Sequence, residues 1–234
     1  MFVNSWVNLA LFVVIILAII TLFYLFLIRP HILRLGAADE EVNRHLPGDE
    51  FVENPLFSYT QAITIRSSIE KVWPWIVQIG YKRAGWYSYD WIDELMGAAI
   101  FVDGRHSSDR IVPELQELKV GDQISISPKS PFNVLAIEPG SWFVLGVSVD
   151  LNTGKHFDKE SPSPAQFMQL SWLWSLEEID AFSTRLIIRW CSSYNRSFGS
   201  VLGFGMFNEG GAMLMQPKSL KGIKLRAEAA QLVN

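Results

Sequence analysis

Ionisable side chains crowd one stretch of the chain. Arg83, Asp90, His106, Asp109, Arg110 and Glu114 lie close together, with Tyr87 among them. A carboxyl, imidazole or phenol exchanges protons usefully when its surroundings bring its pKa towards the working pH, and desolvation in an apolar pocket has that effect. His106, Asp109 and Tyr87 are therefore the candidates for acid–base chemistry. The same residues have an ordinary structural account. Asp90 can cap a helix, and Asp109 with Arg110 can make local hydrogen bonds or a salt bridge.

Other chemistries find less support. His31, His45, His106 and His156 are the four histidines, and no two stand at metal-binding spacing, so no metal site is expected. Gly199-Ser200-Val201-Leu202-Gly203 is one residue out of step with a nucleophile elbow. No glycine-rich phosphate loop is present, and no cofactor is expected. Cys191 is the one cysteine, which excludes an internal disulfide and a thiolate metal cluster. Asn195-Arg196-Ser197 matches a glycosylation sequon, a pattern frequent by chance.

A second set is aromatic. The chain is 13% aromatic and holds nine Trp. Trp75, Trp86, Tyr87, Tyr89, Trp91, Trp172, Trp174 and Trp190 can line a ligand cavity, with their polar tips orienting a bound molecule, or they can fill a core. Met213 joins the ligand-binding candidates.

These side chains need elements to hold them. Tyr59–Arg66 is rich in β-formers and predicts a first strand. Ser67 or Ser68 then caps a helix that runs through Pro74 to Gly80. Ser88 or Asp90 caps a second short helix ending near Gly97, and a loop follows over residues 98–113. Strands are expected at 122–127, 132–138 and 142–149, the last two joined by Pro139-Gly140-Ser141 as a hairpin. Residues 150–165 form a polar loop.

The next strand has the clearest pattern. Met168, Leu170, Trp172, Trp174 and Leu176 alternate against Gln169, Ser171 and Ser175, with Leu173 as the exception. Residues 177–183 read as a turn, and 184–194 as the returning strand. There Leu186, Ile188 and Trp190 oppose Arg185 and Arg189. The glycine-rich stretch 199–211 reads as a loop or loose helix start. A terminal helix begins or kinks at Pro217 and carries Leu220, Ile223 and Ala227 on one stripe. Consecutive hairpin strands with helices before and after predict an α+β domain with an antiparallel sheet.

The N-terminus is of another kind. Trp6–Ile28 is almost wholly apolar and uncharged. At about 1.5 Å per residue that run reaches across a hydrocarbon core of about 30 Å. It lacks a basic start and a small-residue cleavage site, so an uncleaved transmembrane anchor over 1–28 is expected. Residues 29–58 read as a linker with little regular structure beyond a short helix near Asp39–Arg44, and 59–234 as the domain. Arg29 and Arg34 follow the span and no base precedes it, which places the C-terminal domain in the cytoplasm. Without those two arginines the chain keeps 18 basic and 24 acidic residues, a balance that gives no footprint for nucleic acid.

Four segments together carry a resemblance: residues 63–80 (ITIRSSIEKVWPWIVQIG), 83–97 (RAGWYSYDWIDELMG), 109–126 (DRIVPELQELKVGDQISI) and 222–229 (GIKLRAEA). They resemble the START-like, or SRPBCC, superfamily and its polyketide cyclase/dehydrase-like bacterial members. The resemblance implies a helix-grip fold, in which a curved antiparallel sheet wraps a long C-terminal helix around an apolar cavity. Residues 209–221 depart from it, because Pro217 stands where members show an unbroken helix.

The expectation is then a membrane-anchored module that binds a hydrophobic small molecule, such as a lipid, isoprenoid or polyketide. Two other outcomes stand beside it. One is a cyclase- or dehydratase-like enzyme using His106, Asp109 or Tyr87 in the pocket. The other is a structural or regulatory protein whose cavity is filled.

Overall fold

The computed structural model describes residues 2–157 and 163–231; part of the polar loop expected at 150–165 lies outside them. Six strands form one antiparallel sheet in the order β1-β6-β5-β4-β3-β2. They are β1 (Phe57–Ile65), β2 (Gln123–Ser125), β3 (Pro131–Glu138), β4 (Trp142–Asp150), β5 (Phe167–Asp180) and β6 (Ser183–Tyr194). Helix α4 (Ile69–Val77) and the terminal helix α7 (Gln216–Gln231) pack together and against β1 and β5 on one face. This is the expected α+β helix-grip architecture.

The alternation in β5 sorts the two faces as the sequence indicates. Met168, Leu170, Trp172, Trp174 and Leu176 all belong to the main core beneath the helices. Leu173 belongs to a separate cluster on the other face, with Leu46, Ala62, Val144 and Ile187. The exception in the pattern is thus the mark of a second packed layer.

That layer comes from residues 34–56, a stretch expected to be irregular. It carries α3 (Asp39–Asn43) and a 3₁₀ turn at Asp49–Phe51, and it buries Leu46 and Val52. Arg189 on β6 holds it down. The guanidinium, 7% exposed, donates to the Thr60 hydroxyl, the Glu41, Val42 and Arg44 carbonyls and Asp49 Oδ2 at 2.6–3.0 Å. Arg185 grips Glu41 through both carboxylate oxygens at 2.6 and 2.7 Å. Arginines on a strand read as solvent-facing. Here they cross-link a covering segment, which requires partners distant in sequence.

One other expectation is corrected, and one is decided between its two alternatives. The turn after β5 is shorter than 177–183, since the ladder continues to Asp180–Ser183. The glycine-rich stretch is helical: α6 (Phe198–Gly210) passes through a π-helical turn (Gly211–Met215) directly into α7. Ser197 caps α6 by accepting from the Ser200 N–H at 3.2 Å. Pro217 has no N–H to give, and the π turn immediately before it absorbs the break, so the helix path continues.

At the N-terminus, α1 (Phe2–Phe23) runs through a π-helical turn (Tyr24–Ile28) into α2 (Arg29–Leu33). Trp6–Leu33 is long and apolar enough to cross a membrane by length and composition; its most apolar stretch has a mean hydropathy of 3.2 and is not buried inside the protein.

Candidate functional site

A cavity of about 270 Å³ lies between the sheet and the helices. Tyr59 of β1, Trp172 of β5 and Trp190 of β6 line it from the sheet. Opposite them are Asp93 of α5 (Asp90–Leu95), Met206 of α6 and Ser219 of α7. The π turn supplies Leu214 and Met215, so the segment that accommodates Pro217 is part of the wall.

Stacking fixes the aromatic wall. Trp86 and Trp172 lie nearly parallel, with ring centres 5.1 Å apart and planes at 16°. Trp190 meets Trp172 edge-on at 5.2 Å and 70°. Its indole N–H donates to Asn208 Oδ1 at 3.1 Å, and Asn208 donates in turn to the Ser192 hydroxyl at 3.0 Å. Tyr59 reaches Gln216 Oε1 from its hydroxyl at 3.3 Å, and burial raises its pKa far above the usual phenol range.

Of the expected aromatic residues, Trp86, Trp172 and Trp190 line this cavity. The others lie elsewhere. Trp174 is in the core, stacked on Phe143 at 6.3 Å. Trp75 packs edge-on to Tyr87 in the core at 6.0 Å. Tyr89 lies under the Lys218 ammonium and beside Trp91. Met213 turns towards the first helix, where its sulfur lies 3.3 Å from the Tyr24 hydroxyl oxygen.

The three acid–base candidates are not on the cavity wall. The His106 side chain is 89% exposed, with Nδ1 3.4 Å from Asp90 Oδ2. Asp109 is 87% exposed and pairs with Arg226 at 2.7 Å. Tyr87 is buried, but its hydroxyl accepts from Gln78 Nε2 at 2.7 Å and Arg226 covers its ring. Burial dominates there and raises the phenol's pKa.

Their neighbours serve the scaffold. Asp90 does not cap its own helix; it accepts from the Ser107 N–H at 3.2 Å and hydroxyl at 2.7 Å, tying the following loop to α5. Arg83 donates to the Val77 and Ile79 carbonyls at the end of α4, satisfying acceptors that the helix leaves free. Arg110 pairs with Asp103 at 2.8 Å. The Cys191 thiol is buried, and burial pushes it up to about 12, so it stays protonated and unreactive.

The acid that does line the cavity is Asp93, which sequence reasoning passed over. It is 2% exposed, and burial, aided by the Asp90 carboxylate, pushes it up to about 7. Among the described residues Asp93 is the one carboxyl on the wall, and neither Lys, Arg nor His lines it. Its signal in the sequence is faint: an acid three residues after Asp90, between Ile92 and Leu95–Met96, in a short helix whose inward face depends on the cover of α6 and α7.

A second depression of about 490 Å³ lies beside the first, bounded by Phe132, Met168 and Leu170 of the sheet and by Gly203 and Phe204 of α6. Phe207 lines both.

No family model and no curated protein matches the chain. Several solved structures are similar at low identity. A conserved protein from Geobacillus kaustophilus is 13% identical with a TM-score of 0.39, the match covering 74% of this chain and 97% of that one. CalU16 from Micromonospora echinospora is 12% identical with a TM-score of 0.30, over 76% of this chain and 88% of its own. The di-domain ARO/CYC BexL from the BE-7585A biosynthetic pathway is 11% identical with a TM-score of 0.36, over 75% of this chain and 48% of its own. Similarities this distant carry no argument about function. The fold assignment rests on the strand order and the gripped helix themselves.

Proposed function

We propose that this protein is a membrane-tethered module that binds a small, largely apolar molecule in the cavity between the sheet and the helices α5, α6 and α7. The observation that carries the proposal is the cavity itself: a partly open space walled by Trp86, Trp172, Trp190, Ile92 and Leu214. A space of about 270 Å³ is close to the lower end of small-molecule sites, roughly 300–1,000 Å³. That size speaks against a cavity filled by side chains.

The apolar run Trp6–Leu33 supports the tether, and Arg29 and Arg34 at its end support a cytoplasmic side for the domain. Helix α6 supports a site close to the bilayer. From Phe198 to Asn208 it carries no charge, and Phe198, Leu202 and Met206 are 86%, 54% and 70% exposed. An exposed apolar surface of this kind marks a contact with membrane or protein. A ligand that partitions into lipid would then be met where it is concentrated.

The test is native mass spectrometry of the full chain, released from mild detergent after purification from its host, with organic extraction of the same sample. A bound molecule of defined mass supports the proposal. A protein that emerges bare, and takes up nothing from a total lipid extract, defeats it. Protease protection in sealed vesicles checks the side on which the domain lies.

A further inference from the structure

Helix α6 is apolar on both sides. Phe204 and Phe207 turn towards Tyr194 and Trp190 of β6, with ring centres 5.1 and 6.1 Å apart. Phe198, Leu202 and Met206 stand on the outer side at four-residue steps. A helix that is apolar all round belongs in a core or in lipid, yet the outer side of this one is uncovered. A second exposed apolar stripe lies on α5. Trp91 and Leu95 share a face of that helix, and Met96 follows them. Met96 and Met206 both line the cavity and are both at least half exposed, so they form the rim where it opens. The six residues make an apolar collar beside the mouth, each between 50% and 86% exposed. The charges on α5 are occupied: Glu94 pairs with Arg105 at 2.8 Å, and Asp90 is held by Ser107.

The charge pattern along the chain indicates what covers this collar. Residues 1–28 carry no charged side chain, and neither do residues 197–208. The first charges after those two runs are Arg29 and Glu209, and they pair with each other at 2.6 Å. Tyr24, near the end of the first run, donates to the same carboxylate. A tyrosine and the first charge after an apolar span belong at the edge of the hydrocarbon. The pair therefore holds the end of α6 at that level. Met206 is only about 4.5 Å from Glu209 along the helix axis.

We infer that the collar of α5 and α6 is bedded in the bilayer that α1 crosses, so that the cavity opens onto lipid rather than water. This rests on Trp6–Leu33 crossing the membrane and adds how the domain meets it. The partner is the outer hydrocarbon of one leaflet, entered to the shallow depth that interfacial helices reach. The domain's balance of 18 basic and 24 acidic residues leaves burial of apolar surface, not attraction to anionic lipid, as the driving force.

The experiment uses the full chain in phosphatidylcholine vesicles, with a nitroxide on one introduced cysteine. Cys191 is buried and its thiol stays protonated, which directs the label to the new site. Leu202→Cys and Leu95→Cys report on the collar, Phe12→Cys on α1, and Phe182→Cys on a comparably exposed apolar site away from both. Phe182 lies in the turn between β5 and β6, at the far end of β6 from α6 and about 40 Å away along the strand. Oxygen concentrates in hydrocarbon and a nickel chelate in water, so their relative collision rates with the label locate it. The expected result is an oxygen-to-chelate ratio at 202 and 95 severalfold above that at 182. A ratio at either collar site as low as that at 182 overturns the inference. So does exclusion of both reagents with spin–spin broadening at 202, which marks a second copy seated on the face. Free access of the chelate to the label at 12 removes the tether and the inference together. Ligand binding is read separately by mass spectrometry. A loaded protein with its collar in water defeats this inference alone, and a bare protein with its collar in lipid defeats only the ligand-binding reading.

Discussion

Arg29 Nε lies 2.6 Å from Glu209 Oε1, and so the apolar N-terminal helix is fastened to the helix that walls the cavity. The Tyr24 hydroxyl donates to the other oxygen of the same carboxylate at 2.7 Å, and the Arg29 guanidinium also lies over the Phe57 ring. Glu209 is adjacent to the π turn that lines the cavity, so the tether and the wall meet at one residue. Glu209→Gln keeps the shape and removes the charge. It is expected to cost about 1–2 kcal/mol, or roughly 2–4 °C per kcal/mol for a chain of this size. Amide exchange over residues 198–216 should quicken at the same time. Unchanged exchange would separate the tether from the wall.

Arg189→Ala should be the most damaging change on the outer face. It strips the support from residues 41–49, leaves the Asp49 carboxylate without its cation and removes the Arg189 donors from several carbonyls. A loss of about 3–5 kcal/mol is expected. Arg189→Lys should recover little of it, because an ammonium cannot span acceptors set around a planar fork. Denaturant unfolding of the three proteins decides this, and near-full rescue by lysine would contradict the reading.

Two glycines of the C-terminal helix pair should respond in opposite directions. A β-carbon at Gly222 would overlap the Tyr87 carbonyl oxygen where α7 crosses the loop, so Gly222→Ala should destabilise by about 3 kcal/mol. Gly203 in α6 meets open space, and Gly203→Ala should stabilise by about 1 kcal/mol through helix propensity alone. Thermal unfolding of both variants tests the close approach at Tyr87.

Stability should fall with pH because of Asp93. Its carboxyl is pushed up to about 7 by burial and by Asp90, against an ordinary value near 4. Between those values the folded chain binds more protons than the unfolded one. The favourable contribution is therefore complete below about pH 4, lost as pH rises to about 7 and constant above it. Asp93→Asn should match the unmodified chain near pH 4 and exceed it at pH 8 by up to a few kcal/mol. Parallel stability curves for the two proteins would show that Asp93 is not desolvated in this way.

The sheet and its inner face were legible in the sequence, because a strand's alternation is a local property. Residues 168–176 separate core from cover without reference to the rest of the chain, and Leu220, Ile223 and Ala227 mark the buried stripe of α7 in the same way. Trp86, Trp172 and Trp190 were legible as candidates for a cavity, since large aromatics on neighbouring elements must meet. Tertiary structure alone decided which groups became chemistry and which became scaffold. His106 and Asp109 face solvent, Arg189 became a buried clamp, and Asp93 became the cavity's acid. The physical reason is that a side chain's charge state and role depend on how much water its neighbours leave it. Asp93 shares its cavity wall with residues of α6 and α7, far along the chain, and only folding brings them together.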